Sequence, residues 1–286
     1  MWFLISILIA ANTFADPFGD QWYQGKAEIT SYDLNQARYG EIRSGHSVFI
    51  FVTEDFSNSK HVKLDRPNRV PEDAVKVLKL NATRNFVTGI YPYSMMTSVF
   101  TPVYSDRHPR TLKVTTSSQE WCGHTFTQLN LTDDGYRAKL YSYFERESDR
   151  DMTWSGGIPE DELWNRVRLS PDSLPVGKVR LIPGTIFQRL QHSAWGVFDA
   201  VAERSTRPED ADLSVYTVTY PQIKRRLSIT YRTAFPHEIE SWEETERLGT
   251  DREMTTTAKL RKRMMSPYWQ HNDLDDEHLR KQLGLE

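Results

Sequence analysis

The chain has 286 residues, with 36 Lys and Arg against 39 Asp and Glu, and its net charge of −3 gives no overall positive field that would draw it to nucleic acid. A single cysteine, Cys122, excludes an intrachain disulfide framework, so the fold must rest on its hydrophobic core, for which the length is ample. Aromatic residues make up 12% of the chain and are spread along it, which suits wide sheets with amphipathic faces.

The first fifteen residues, MWFLISILIAANTFA, are an uncharged apolar run ending in small residues. They predict a signal peptide cleaved after Ala15. The apolar centre, Trp2 to Ala11, is about ten residues, against the roughly twenty that a spanning helix needs. The expectation is therefore a periplasmic or secreted protein with no transmembrane span after cleavage, and no cysteine follows the run to carry a lipid.

Segments from Trp22 to Leu34 and Ala37 to Ile42 read as opening strands. His46 to Asp55, HSVFIFVTED, has five consecutive apolar residues and reads as a strand covered on both faces. Lys60 to Ala74, with Pro67 and Pro71, predicts a loop. Val75 to Asn81 and Thr83 to Ile90 predict two strands with a turn between them, and Tyr91-Pro92-Tyr93 an interruption. Met95 to Val103 and Leu112 to Ser118 continue the strand pattern. Ser117 to Glu147 predicts a β-hairpin about Asp134-Gly135, a dipeptide that accepts the positive backbone angles of a tight turn. Strict alternation along it places Glu120, Cys122, His124, Phe126, Gln128 and Asn130 on one face. On the returning strand Arg137, Lys139, Tyr141 and Tyr143 share a face.

From Ser155 to Pro175, IPEDELWNRVRL opens with proline and three acidic residues, as the helix dipole favours, and predicts a short helix. GTIFQRLQHSAW predicts a second one. Strands follow at Val197 to Arg204, Asp212 to Tyr220, Arg225 to Ala234, His237 to Glu244 and Glu253 to Met264. The chain should end in a short helix capped by Asp273. The fold class is mainly β: an antiparallel curved sheet, sandwich or open barrel of about ten to twelve strands, with short connecting helices and a C-terminal helix. The organisation is a leader at 1–15, an N-terminal β half at 16–150, a connector at 151–196 and a C-terminal β half at 197–286, together one compact unit.

The segments GKAEI (25–29), QARYGEI (36–42), FVTEDF (51–56), LKLNAT (78–83), GIYPYS (89–94) and QEWCGH (119–124) together resemble a group of exported bacterial proteins and lipoproteins of unsettled function. Some of that group carry the label "septum formation inhibitor Maf". The Ser-Pro-Arg-Arg motif of the cytosolic Maf pyrophosphatases is absent from this chain, so the resemblance implies an envelope protein and brings no catalytic residue.

Three constellations carry chemistry. Glu120, Cys122 and His124 place an acid, a thiol and an imidazole at two-residue steps; as a site, Cys122 would be a nucleophile activated by His124 and oriented by Glu120. The competing reading, a small buried cysteine beside a hydrogen-bonded histidine, is preferred because no nucleophile turn accompanies the trio. His192, His237 and His271 lie on different elements without metal-ligand spacing, so no metal and no cofactor are expected. Tyr91, Tyr93, Gln128, Arg137, Lys139, Tyr141 and Tyr143, with Trp121 nearby, are the candidate ligand-binding residues. They would line a groove on a curved sheet that takes an apolar or amphipathic envelope ligand, a lipid or a glycan. Met95-Met96 would line it or fill a gap. The functional expectation is binding rather than catalysis. The alternatives are a hydrolase built on Cys122 and His124, and a structural partner in an envelope complex.

Overall fold

A computed structural model describes residues 16–285, so the leader and its cleavage point lie outside the described residues. After helix α1 (Pro17–Trp22) the chain forms strands β1 (Ala27–Arg38), β2 (Glu41–Ser57), β3 (Ala74–Thr88), β4 (Tyr91–Pro102), β5 (Lys113–Glu120), β6 (Gly123–Leu131), β7 (Gly135–Ser142) and β8 (Arg150–Ser155). A two-residue strand β9 (Ile158–Pro159), helix α2 (Leu163–Leu169), strand β10 (Gly177–Ile182) and helix α3 (Thr185–Gln191) come next. Strands β11 (Phe198–Arg207), β12 (Asp210–Tyr220), β13 (Arg225–Arg232), β14 (Ile239–Glu246) and β15 (Met254–Ser266) and helix α4 (His278–Gln282) complete it.

All fifteen strands belong to one sheet, in the order β8-β7-β6-β5-β4-β3-β2-β1-β15-β14-β13-β12-β11-β10-β9. Every pairing is antiparallel except the short β9–β10 contact. The two edges, β8 and β9, are separated in the chain by Gly156 and Gly157 alone. Laid flat, fourteen gaps at about 4.8 Å would put those edges roughly 67 Å apart, far beyond the reach of two residues. The sheet must therefore curl through most of a turn. Both glycines have positive φ, +68° and +71°, and a Cβ on Gly157 would fall 2.7 Å from the Val197 side chain, so the seam needs glycine there. No ladder joins β8 to β9, and the sheet stays open.

The mainly β, curved antiparallel architecture agrees with the sequence, with three differences in detail. There are fifteen strands, because the connector contributes β8, β9 and β10. Residues 74–88 form one continuous strand without a turn at Ala82, since Val77, Leu78, Leu80 and Phe86 are all needed on the walls of the sheet. Ser117 to Leu131 is two strands, with a tight turn at Trp121-Cys122 where Glu120 pairs with Gly123.

The connector fills the curl instead of linking two halves across solvent. Leu163, Trp164, Val167, Ile186 and Leu190 join Phe49, Leu80, Val99 and Val114 from one arc and Tyr216, Ile229 and Trp242 from the other in a single core. Asn165 Nδ2 donates to Leu78 O at 3.0 Å and to Thr101 Oγ1 at 2.9 Å, fixing α2 to β3 and β4. The C-terminal segment covers the outer wall, where Leu283 and Leu285 pack on Ile29, Val48 and Val52. Asp273 and Asp276 form a capping box at its start, as the acidic run implies.

Candidate functional site

Alternate turns of an antiparallel sheet fall at the same end. The turns at Tyr39-Gly40, Gly89-Ile90, Trp121-Cys122 and after Ser142 therefore share one end of the curl. Because Asn35 pairs with Thr257, the turns at Pro221–Lys224 and 247–253 lie there too. The tips of the first four turns carry Tyr39, Ile90, Trp121 and Tyr143, exposed by 61%, 82%, 69% and 67%. They stand on a second tier of rings. Trp121 lies 6.4 Å from Tyr91, Tyr91 5.9 Å from Tyr93, and Tyr93 stacks on Phe86 at 4.7 Å. Tyr143 packs against Gly123, where φ is +156° and a Cβ would meet its ring at 2.7 Å.

Below this rim is a polar layer. Arg38 donates to the hydroxyls of Tyr39 at 3.0 Å and Tyr93 at 3.1 Å, and to the carbonyl of Leu190 in α3. Arg189 of α3 lies 3.7 Å from Glu120 and stacks over Phe144 at 4.3 Å. His192 ends α3 in the left-handed region, with Nδ1 2.6 Å from Glu147 Oε1 and Nε2 3.3 Å from Arg189 Nη1. The Glu120 carboxylate accepts the Cys122 backbone N–H at 2.7 Å. Its hydrogen bond and negative charge push the Cys122 thiol up, away from the thiolate that a nucleophile requires.

The turn at Trp121-Cys122 breaks the alternation on which the proposed trio relied. Glu120 points into the curl, Cys122 sits exposed on the turn, and His124 faces outward. The group that α3 brings beside Glu120 is the Arg189 guanidinium, which in turn lies beside the His192 imidazole. Among the ligand-binding candidates, Tyr91, Tyr93 and Tyr143 gather at the rim with Trp121. Gln128, Arg137, Lys139 and Tyr141 lie on the outer wall, where Arg137 is engaged with Asp151 at 2.6 and 2.8 Å. Met95 points inward and Met96 outward, beside a shallow outer hollow of about 400 Å³ that His124 and Phe126 also line. Sequence reading passed over Arg38, Glu147 and Arg189, whose contacts with Tyr93, His192 and Glu120 span 45 or more residues.

The middle of the curl is charged but closed. Arg225 is paired with Glu160, Nη2 to Oε1 at 2.8 Å, and lies 3.8 Å from Glu244, which also holds Arg84. Burial alone would raise the Glu244 carboxyl, but Arg84 and Arg225 bring it below the usual carboxylate range. Asp161 accepts from the Thr185 backbone N–H at 3.1 Å; burial and neighbouring Glu160 push its carboxyl up to about 7. The hollow among these groups is about 20 Å³, room for about one water and none for a lipid chain. Among the described residues no cluster of His, Cys, Asp and Glu could hold a metal ion, and no helix is long and apolar enough to cross a membrane.

No protein-family model matches the chain, and no curated protein does. A solved structure that it resembles is a β-barrel-like protein of a domain of unknown function, DUF1849, from Brucella abortus. The two are 10% identical, with a TM-score of 0.49, and the match covers 84% of this chain and 98% of that one.

Proposed function

We propose that the protein is an exported, non-catalytic envelope protein that engages amphipathic lipid through the aromatic end of its curled sheet. The observation that carries this reading is the set of four successive hairpin tips, Tyr39, Ile90, Trp121 and Tyr143, all held in water. Isolated exposed apolar residues need no explanation, but four at neighbouring turns on one arc form a patch of the kind that marks an interaction surface. Trp and Tyr are suited to the boundary between headgroups and acyl chains, where an apolar ring and a polar edge are both satisfied. The other arc of the same end carries Lys224, Arg226, Arg247 and Arg252 on or beside its turns, against Glu246, Asp251 and Glu253. That local excess of cations favours anionic headgroups even though the whole chain is slightly acidic. The plugged interior directs the reading to a rim that meets a lipid surface, not a groove that swallows a chain. The raised Cys122 thiol and the outward His124 weigh against the hydrolase alternative.

Flotation of residues 16–286 with vesicles tests this. Vesicles of phosphatidylglycerol and phosphatidylethanolamine should carry the protein, phosphatidylcholine vesicles should carry less, and Trp121→Ala with Tyr143→Ala should reduce binding about a hundredfold, as expected for the loss of roughly 1.5 kcal/mol from each of two aromatic side chains that enter the lipid. Absence of the protein from every floated fraction would overturn the reading, and a rim that captured a second copy instead would appear as a dimer sensitive to the same substitutions.

A further inference from the structure

At the end of the curl opposite the aromatic rim, the connector leaves part of the inner wall uncovered. Helix α2 stops at Leu169, and Pro171–Ser173 turn the chain away, with Pro175 O accepting from the Tyr216 hydroxyl at 2.8 Å. Beyond that point the inner faces of β11, β12 and β13 bound a hollow of about 540 Å³, within the roughly 300–1,000 Å³ range of small-molecule sites. This is the concave groove of the curved sheet, displaced from the central hairpin to the C-terminal half.

Its lining is a set of hydrogen-bonding groups with balanced charge. Ala200 and Ala202 face the core, and the same alternation brings Arg204 and Thr206 to the wall of the hollow. Ser214 and Tyr231 come from the next two strands, and Thr233 and His237 from the loop after β13. Ser214 and Thr233 hydroxyls are 2.9 Å apart, and Arg204 is paired with Asp172, whose carboxylate is largely in solvent. His237 lines the hollow half-buried, with its Nδ1 closed off from solvent and without a hydrogen-bond partner among the described residues. His237 is also held in the left-handed region, φ +56°, an unusual conformation for a residue with a side chain. Burial is the largest influence on its pKa and lowers it, which favours the uncharged ring.

We infer that this hollow is a binding site for a neutral polyhydroxyl ligand, a glycan. One cation, one anion and a neutral imidazole leave no net charge to neutralise, which disfavours phosphate and other anions. Hydroxyls, guanidinium and carboxylate supply donors and acceptors together, as vicinal sugar hydroxyls require, and Leu169 and Pro171 offer apolar surface to the C–H face of a ring. The site is separate in place and chemistry from the lipid-facing rim, and neither reading depends on the other.

The test uses residues 16–286, ¹⁵N-labelled, titrated with maltotetraose, cellotetraose and the tetramer of N-acetylglucosamine, and with tri-galacturonate as the anionic counterpart. At least one neutral oligosaccharide should shift the amides of Arg204, Thr206, Tyr231, Thr233 and His237. Arg204→Ala and His237→Ala should each weaken that binding about tenfold, and Arg204→Lys, which keeps the charge but loses the planar fork, should weaken it less than Arg204→Ala. Trp121→Ala, at the far end, should leave it unchanged. Shifts confined to other surfaces, no response to any neutral probe at millimolar concentration, or binding of the galacturonate alone would overturn the inference.

Discussion

Arg168 with Glu28 and Arg137 with Asp151 are the same two-pronged contact placed on opposite walls of one sheet. Inside, both side chains are 1% exposed; outside, they are 54% and 48% exposed. The inner pair is further engaged, with Arg168 Nε donating to Pro236 O at 2.9 Å and Arg263 3.8 Å from Glu28. Burial alone would raise the Glu28 carboxyl, but the arginines more than reverse this and hold it below the usual range. What the contrast teaches is that charge on the inner wall fixes the connector in place, while the same charge on the outer wall is nearly free energetically. The connector is thus a fixed filling, and the two proposed binding surfaces lie at the ends it leaves uncovered.

The largest expected effect breaks the inner pair. Arg168→Ala leaves Glu28 buried without its main partner and should cost about 3–5 kcal/mol in urea unfolding. A loss under about 1 kcal/mol would mean that the interior is wetter than its packing indicates. Replacing both partners, Glu28→Leu with Arg168→Met, should recover most of that loss, since two apolar side chains of similar volume carry no desolvation cost.

Asp161 supplies an intermediate effect that depends on pH. Its carboxyl ionises at about 7 in the folded protein, against an ordinary value of 3.8, so between those values the folded state holds a proton that the unfolded chain has released. Its contribution to stability is therefore full below about pH 4 and is lost as pH rises through 7. Asp161→Asn cannot ionise and keeps an oxygen for the Thr185 N–H. The difference in Tm between mutant and wild type should grow in the mutant's favour from pH 5 to pH 8, and parallel Tm curves would contradict the assignment.

Much of this was legible in the sequence and some was not. Alternation in residues 212–220 and 225–232 gave strands, because strand faces are local properties; the turn expected at Asp134-Gly135 falls just before Gly135, which opens β7 without a positive φ and is needed because a Cβ there would meet Trp154 O at 1.9 Å. The acidic run Glu160 to Glu162 reads as the opening of a short helix, with no local sign of whether it is exposed. It is buried, because Arg225 and Thr185 on other elements and Arg166 one turn on receive the three carboxylates, and long-range compensation leaves little local pattern. The trio at 120–124 failed for the opposite reason: Trp121-Cys122 are not turn residues, and Gly123, which closes the turn opposite Glu120, was the one local sign that the alternation would be interrupted.

The smallest effects complete the contrast. Arg137→Ala on the outer wall should change stability by no more than about 0.5 kcal/mol and should lose what effect it has in high salt. Cys122→Ser, on an exposed turn, should leave the melting temperature and vesicle flotation unchanged; a loss of flotation would implicate the thiol directly.

The order of strands also constrains how the molecule is made. The first strand and the last are neighbours in the middle of the sheet, with Asp33 opposite Lys259. Hairpins on either side can zip locally as they appear, but β1 keeps one side unpaired until β15 has been delivered. At roughly 5–20 residues per second of synthesis the wait is on the order of ten to fifty seconds, long compared with the microseconds in which a hairpin forms. A chain that folds as it emerges must therefore carry β1 with one edge open for most of its length, and a truncation that removes β15 would leave that edge bare at the centre of the sheet rather than trim its rim.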